Sequence, residues 1–254
     1  MKLIDKLNSL DIPRTEASYL VRTAMEIDLT QFYDLYYKEL TQTQLKLIDF
    51  AFHYHKKCVP LSRLFGRKFF WKDDFYVSPF TLDPRPETEV LVEYCISLKP
   101  KRILDIGSGS GCILLSILRD LPDSVGLGID ISRYSIETAV HNANKLGIKA
   151  DFIQADINYF STTTQFDLIV SNPPYIKKDC SYEALFDPPI SLWDNDVYSA
   201  IFRISALNSN GCILFEIPEY SKKDIIRLAQ YYHYNLTFLP ISSNILICKA
   251  VKLC

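Results

Sequence analysis

The residues best suited to chemistry in this 254-residue chain are Ser171-Asn172-Pro173-Pro174-Tyr175, directly after the apolar run "FDLIV". Prolines have no N–H to give to a sheet ladder, so the strand must end here and a stiff segment takes over. The side-chain oxygen of Asn172 and the carbonyl of Pro173 can each accept one N–H bond, and prolines hold such carbonyls with little freedom. Tyr175 can pack on a flat group. The set suits a pocket wall that grips a planar NH2 group. A rigid strand-end turn is the plainer reading that these residues alone leave open.

A second cluster lies earlier. Only eight glycines occur in the chain, below the usual ~7%, yet Gly107, Gly109 and Gly111 fall within "DIGSGSG". The loop Gly107-Ser108-Gly109-Ser110-Gly111 sits between a buried strand and a helix. There glycines admit a ligand close to the backbone, and the helix N-terminus offers N–H groups to an anion. The spacing is G-x-G-x-G, not the dinucleotide G-x-G-x-x-G, and no Gly-Lys-Ser/Thr follows. Asp130 ends the next strand, about 20 residues on, where an acid can accept both hydroxyls of a ribose. Asp156 follows the third strand, placed to meet an adenine amino group. Together they match an adenosyl ligand with a carboxylate at its other end, as in S-adenosylmethionine.

These residues need a frame. From residue 101 the chain alternates short apolar strands ("RILDIG", "SVGLGID", "ADFIQAD", "FDLIVSN", "GCILFEI") with helices. That pattern predicts an α/β fold, a parallel sheet covered on both faces. "NLTFLP" and "ILICKAV" are separated only by "ISSN", which predicts a final hairpin with one antiparallel strand. Residues 1–57 read as helices, with Pro13 opening one and Thr41 or Thr43 capping another. "RKFFWKDDFYVS" reads as a hairpin around Lys72-Asp73, and Glu87, Thr88 and Glu89 open a further helix.

The α/β region resembles the seven-stranded Rossmann-like S-adenosylmethionine-dependent methyltransferases, in which N-P-P-Y marks enzymes that modify a planar nitrogen of adenine, cytosine or glutamine. In that fold the first and fourth strands are central neighbours, so "SNPPY" should face the glycine loop. The combination of "PRPETE" (Pro84–Glu89), "ILDIGSGSGCI" (Ile103–Ile113) and "SNPPYI" (Ser171–Ile176) is similar to the PrmC/HemK family. Those enzymes methylate the glutamine of the Gly-Gly-Gln motif in peptide chain release factors. The resemblance covers nearly the whole chain. It implies a helical docking domain at 1–57, a hairpin linker at 58–83 and a methyltransferase domain at 84–254. It implies that Gly107–Gly111, Asp130, Ile157 and Asn172 contact the cofactor, that Asn172, Pro173, Pro174 and Tyr175 hold the glutamine, and that Asn172 and Pro173 are the catalytic pair.

The chain departs from that family in three places. Ile157 stands where an aromatic is common, which weakens stacking on adenine. Asp187-Pro188 replaces Glu-Pro, without the Gly-Gly-x-Asp-Gly stretch that usually follows. Glu216-Ile217-Pro218 stands for the later Glu-Ile-Gly.

Composition narrows the partners. The net charge of -2 argues against a broad nucleic-acid footprint. A DNA or RNA amino-methyltransferase remains the alternative reading, which would need base flipping and a further recognition surface. Seven scattered cysteines without a C-x-x-C pair read as reduced core thiols, and His53 and His55 point to different sides of a helix, so no metal is expected. No apolar run reaches the ~18 residues of a membrane span, and the N-terminus lacks a signal-peptide core. A cytoplasmic monomer acting on a protein substrate is the expectation.

Overall fold

The structure, a computed structural model, describes residues 1–174, 187–188, 197–204 and 206–253. They divide into two compact units, residues 1–68 and the described residues from Phe69 onward.

The first unit is helical. Helices α1 (Leu3–Ser9), α2 (Arg14–Met25), α3 (Leu29–Leu35), α4 (Gln42–His55) and α5 (Leu61–Phe65) share one apolar cluster. Pro13 is the N-cap of α2, where a missing N–H costs nothing. Ala17, Leu20, Val21 and Ala24, at helical spacing, are all buried. Thr41 rather than Thr43 caps α4. Its hydroxyl accepts the Gln44 amide at 3.2 Å while the Gln44 side chain accepts the Thr41 amide at 2.9 Å. His55 pairs with Glu16 at 3.0 Å, and His53 meets the Tyr54 ring edge-on.

Strands β1 (Arg67–Phe70) and β2 (Asp73–Tyr76) form a two-stranded sheet. Its turn falls at Trp71-Lys72, one residue earlier than the sequence pattern places it. Trp71 takes a left-handed φ of 58°, and its amide donates to Glu89 Oε1 at 2.9 Å. Glu89 therefore secures a turn.

The rest of the second unit runs α6 (Thr88–Ser97), β3 (Arg102–Ile106), α7 (Cys112–Asp120), β4 (Val125–Asp130), α8 (Arg133–Leu146), β5 (Asp151–Gln154), β6 (Phe166–Ser171), α9 (Val197–Arg203), β7 (Leu207–Pro218), α10 (Lys222–Tyr231), β8 (Tyr234–Pro240) and β9 (Ile245–Lys252). One seven-stranded sheet results, in the order β5-β4-β3-β6-β7-β9-β8. Strands β3 to β7 are mutually parallel, and β9 runs antiparallel to both β7 and β8. The doubly wound sheet with a closing hairpin is thus the one the strand–helix alternation predicts.

Side chains alternate across the sheet with period two. Leu104 and Ile106 of β3 and Ile169 of β6 join a cluster with α9 and α10, while Ile103, Leu168 and Val170 join the opposite cluster with α6 and α7. Each such buried side chain contributes roughly 1.5–3 kcal/mol, so the two central strands are firmly held from both faces. Among the described residues no helix is long and apolar enough to cross a membrane. Cys95, Cys212 and Cys248 are buried thiols, but Cys58 is exposed, contrary to the core reading; Cys180 and Cys254 lie outside the described residues.

Candidate active site

Ile106 and Ser171 are register partners on the central strands β3 and β6. Gly107 and Asn172 therefore leave neighbouring strands at the same level. Ser171 reinforces the alignment, its Oγ donating to the Ile106 carbonyl at 2.8 Å. A cleft of about 230 Å³ opens above this point, lined by Gly107, Ser108, Gly109 and Ser110 on one side and by Asn172 and Pro174 on another. Asp130, Asp156 and Ile157 also line it. Gly111 lies just behind, as the N-cap of α7. Pro173 is buried beside the lining residues. Tyr175 lies outside the described residues.

Gly109 and Gly128 show two different ways in which glycine serves the loop. Gly109 has φ 55°, and a Cβ built on it would meet only the Gly107 carbonyl at 4.0 Å, so its need is for backbone conformation and an open approach. Gly128 of β4 is the opposite case. A Cβ there would stand 2.5 Å from Ser108 Oγ and 2.4 Å from the Phe152 ring, so its absence lets the loop sit down on the strand.

Asp130 braces this loop. Its Oδ2 accepts the Gly109 amide at 2.9 Å and its Oδ1 accepts the Ser132 amide at 2.8 Å. Each carboxylate oxygen has a second lone pair, so a pair of hydroxyls can still be accepted. Burial raises the Asp130 pKa, and the Ser132 and Gly109 amides oppose that rise. Asp156 accepts the Asn158 amide through Oδ1 at 2.8 Å, which fixes its direction at the cleft.

The segment Pro84–Glu89, whose sequence reads either as a helix start or as a site wall, completes the site together with Asp187. Asn172 Nδ2 donates to Thr88 Oγ1 at 3.0 Å. Asp187 is almost wholly buried; its carboxylate accepts the Asp83 amide at 3.2 Å and a bond from Arg85. Asp83, Pro84, Arg85 and Thr88 all line the cleft. The "PRPETE" segment is thus one wall of it, not only a helix start. Asp187 in place of the family's glutamate still reaches the arginine of that wall.

Asp105 is the unforeseen group. It is fully buried behind the loop, and neither carboxylate oxygen has a hydrogen-bond partner among the described residues. Burial pushes its pKa up to about 7, and Asp130 adds to the rise, while the Ser108 hydroxyl donates to the Asp105 backbone carbonyl at 3.1 Å. Burial thus favours the protonated form, and Asp105 does not itself line the cleft. Cys112 also lines the cleft, but burial pushes its thiol up to about 12, which leaves it no thiolate for nucleophilic work.

The cleft thus combines open glycine backbone at a helix N-terminus, the acids Asp130 and Asp156, the aliphatic side chain of Ile157, and a rigid Asn-Pro-Pro edge. These features fit S-adenosylmethionine on one side and a planar amide or amine on the other.

Comparison with known proteins agrees. The methyltransferase small domain family matches residues 81–186. A release factor glutamine methyltransferase of Flavobacterium psychrophilum is 38% identical over 204 residues, 72% of this chain and 72% of that protein. Its namesake in Rhodospirillum rubrum is 42% identical over 139 residues, 53% of this chain and 42% of that protein. Another, from Fusobacterium nucleatum, is 31% identical over 245 residues, 89% of this chain and 69% of that protein. Among solved structures, a ribosomal protein L11 methylase from Lactobacillus delbrueckii superposes with a TM-score of 0.53 at 21% identity, covering 68% of this chain and 82% of that one. A Pyrococcus abyssi tRNA (uracil-54, C5)-methyltransferase in complex with S-adenosyl-L-homocysteine gives 0.51 at 17% identity, covering 73% and 44%. These two likenesses concern the fold alone.

Proposed function

This chain belongs to the release factor glutamine methyltransferases, and on that footing we propose that it transfers a methyl group from S-adenosylmethionine to the side-chain amide nitrogen of the glutamine in a release factor's Gly-Gly-Gln motif. The observation that carries the reading is the Ile106–Ser171 register, which sets the glycine loop and the Asn-Pro-Pro edge over one cleft.

Bound S-adenosylmethionine supplies an activated methyl group on a sulfonium. The chain's own task is to bring a weak nucleophile to it. An amide nitrogen has a delocalised lone pair, so it reacts only if held close and aimed. In this reading Asn172 Oδ1 accepts one N–H of the glutamine amide and the Pro173 carbonyl accepts the other, which turns the nitrogen toward the cleft. Two prolines keep these acceptors in place, so little reorganisation is needed as positive charge develops. Covering the flat face of the amide is the role that the family resemblance assigns to Tyr175. No strong base is required, because the proton leaves after the nitrogen has become cationic. The Gly107–Gly111 backbone, Asp130, Asp156 and Ile157 hold the carboxylate, ribose and adenine ends of the cofactor.

Residues 1–57 are assigned the docking of the release factor, which is large and presents its glutamine on a loop. The compactness of residues 1–68 as a unit of their own supports that assignment, with 58–83 as the linker and 84–254 as the catalytic part.

The test is transfer of labelled methyl by the full chain to its own release factor, to the same factor with Gly-Gly-Ala, and to duplex DNA. Label in the intact factor alone is the expected result. Label in DNA alone would support base methylation instead.

A further inference from the structure

Asn172 can grip an amide only if its oxygen faces the cleft. An asparagine side chain is nearly symmetric in shape, and the flipped rotamer would present NH2 to NH2, two donors face to face. Something must choose the orientation. We propose that Thr88 is the positioning residue that does so, by accepting one Nδ2 hydrogen of Asn172 and thereby turning Oδ1 toward the substrate. This rests on the reading of Asn172 given above.

The 3.0 Å bond from Asn172 Nδ2 to Thr88 Oγ1 joins residues 84 positions apart in the chain. Both ends are independently fixed. Thr88 is buried, 2% exposed, at the first turn of α6, with its amide bonded to the Arg85 carbonyl at 3.0 Å. A β-branched side chain there has few χ1 choices. Pro84 and Pro86 stiffen the backbone that leads into it, and the Arg85–Asp187 ion pair ties that backbone down. On the other side, Ser171 is bonded to Ile106, and the residue before Pro173 is confined to extended backbone. The hydroxyl and the carboxamide therefore meet with little freedom on either side.

A threonine hydroxyl can donate as well as accept. Only the accepting role orients Oδ1 productively, and the two roles are distinguishable. If Thr88 accepts, one Nδ2 proton is sequestered from water. If Thr88 donates to Oδ1, both Nδ2 protons face the open cleft.

The experiment compares the full-length wild-type chain, Thr88→Val and Thr88→Ser. Solvent exchange of the Asn172 side-chain NH2 is followed by NMR on 15N-asparagine-labelled protein, alongside kcat and KM with the release factor. Wild type and Thr88→Ser should show one slowly exchanging Nδ2 proton, and Thr88→Val none. A free flip alone would halve the productive population. Leaving a buried NH2 against a methyl costs more, so Thr88→Val should lower kcat by roughly tenfold or more. Its affinity for S-adenosylhomocysteine should stay within about twofold, and serine should restore kcat. Equal, fast exchange of both protons in the wild type would overturn the proposal, as would a wild-type kcat in Thr88→Val. The wild-type exchange result needs no turnover, so it decides the Thr88 assignment even if the release factor proves not to be the substrate.

Discussion

Asp187 holds Arg85 in an ion pair and takes the Asp83 amide with its other carboxylate oxygen. One short acid therefore secures two points of the segment that walls the cleft. The family's usual glutamate would bring one more methylene. Here the shorter side chain is accommodated with its carboxylate nearly wholly buried.

Removing that carboxylate should loosen the wall. Arg85 is partly exposed, so the ion pair is worth less than a fully buried one. Asp187→Ala should lower unfolding stability by about 1–3 kcal/mol and weaken S-adenosylhomocysteine binding. Urea titration and calorimetry would measure both. Unchanged stability and affinity would mean that the wall stands without Asp187.

Asp130 should be sensitive to an isosteric change. Asp130→Asn keeps the shape but sets an NH2 against either the Gly109 or the Ser132 amide, both of which donate to the carboxylate. Losing a charged acceptor at such a site costs about 1.5–3 kcal/mol, so cofactor affinity should fall by roughly 10- to 150-fold. The fold should survive, as circular dichroism would show.

The aliphatic Ile157 leaves room for improvement. Ile157→Phe would present an aromatic face at the base end of the cleft. Aromatic contact adds about 0.5–1.5 kcal/mol, so S-adenosylhomocysteine should bind roughly 2- to 12-fold more tightly by calorimetry.

Asp105 predicts a pH dependence of stability. Its pKa is raised from 3.8 to about 7 in the fold, chiefly by burial. Below the unfolded value both states carry the proton and there is no penalty. As pH rises toward 7 the unfolded chain ionises while the folded chain does not, so stability falls; above 7 the loss is complete and constant. The loss attributable to this group is at most about 4 kcal/mol. The melting temperature of Asp105→Asn relative to wild type should therefore climb from pH 4 to pH 7 and then level off. A difference independent of pH would place the ionised carboxylate in the fold.

Much of this was legible in the residues. The central parallel strands β3 and β6 announced themselves because strands buried on both faces read as apolar runs, Ile103–Ile106 and Leu168–Val170 most clearly, whereas β5 at the sheet edge is mostly exposed. The glycine loop and Asn172 followed from that frame, because the two central strands end level with each other. Two kinds of feature did not show. The first residues of β7, Leu207 to Asn210, carry no apolar run and join the sheet beside a register shift opposite Phe166. The turn at Trp71 uses a left-handed tryptophan, which local preference opposes. Asp105, and the partners of Thr88 and Asp187, were hidden for another reason. The roles of these three residues depend on partners far along the chain, or on burial, and a lone threonine or aspartate has the same local appearance at a helix cap or in a loop.

The most direct measurement maps the methyl group. Release factor would be incubated with S-adenosylmethionine and either the wild-type chain or Asn172→Ala, then digested and sequenced by mass spectrometry. The predicted result is one methyl on the Gly-Gly-Gln glutamine with the wild type, and a rate lower by at least ~100-fold with Asn172→Ala, while S-adenosylhomocysteine binding is largely kept. A methyl on another residue, or a wild-type rate from Asn172→Ala, would contradict the account.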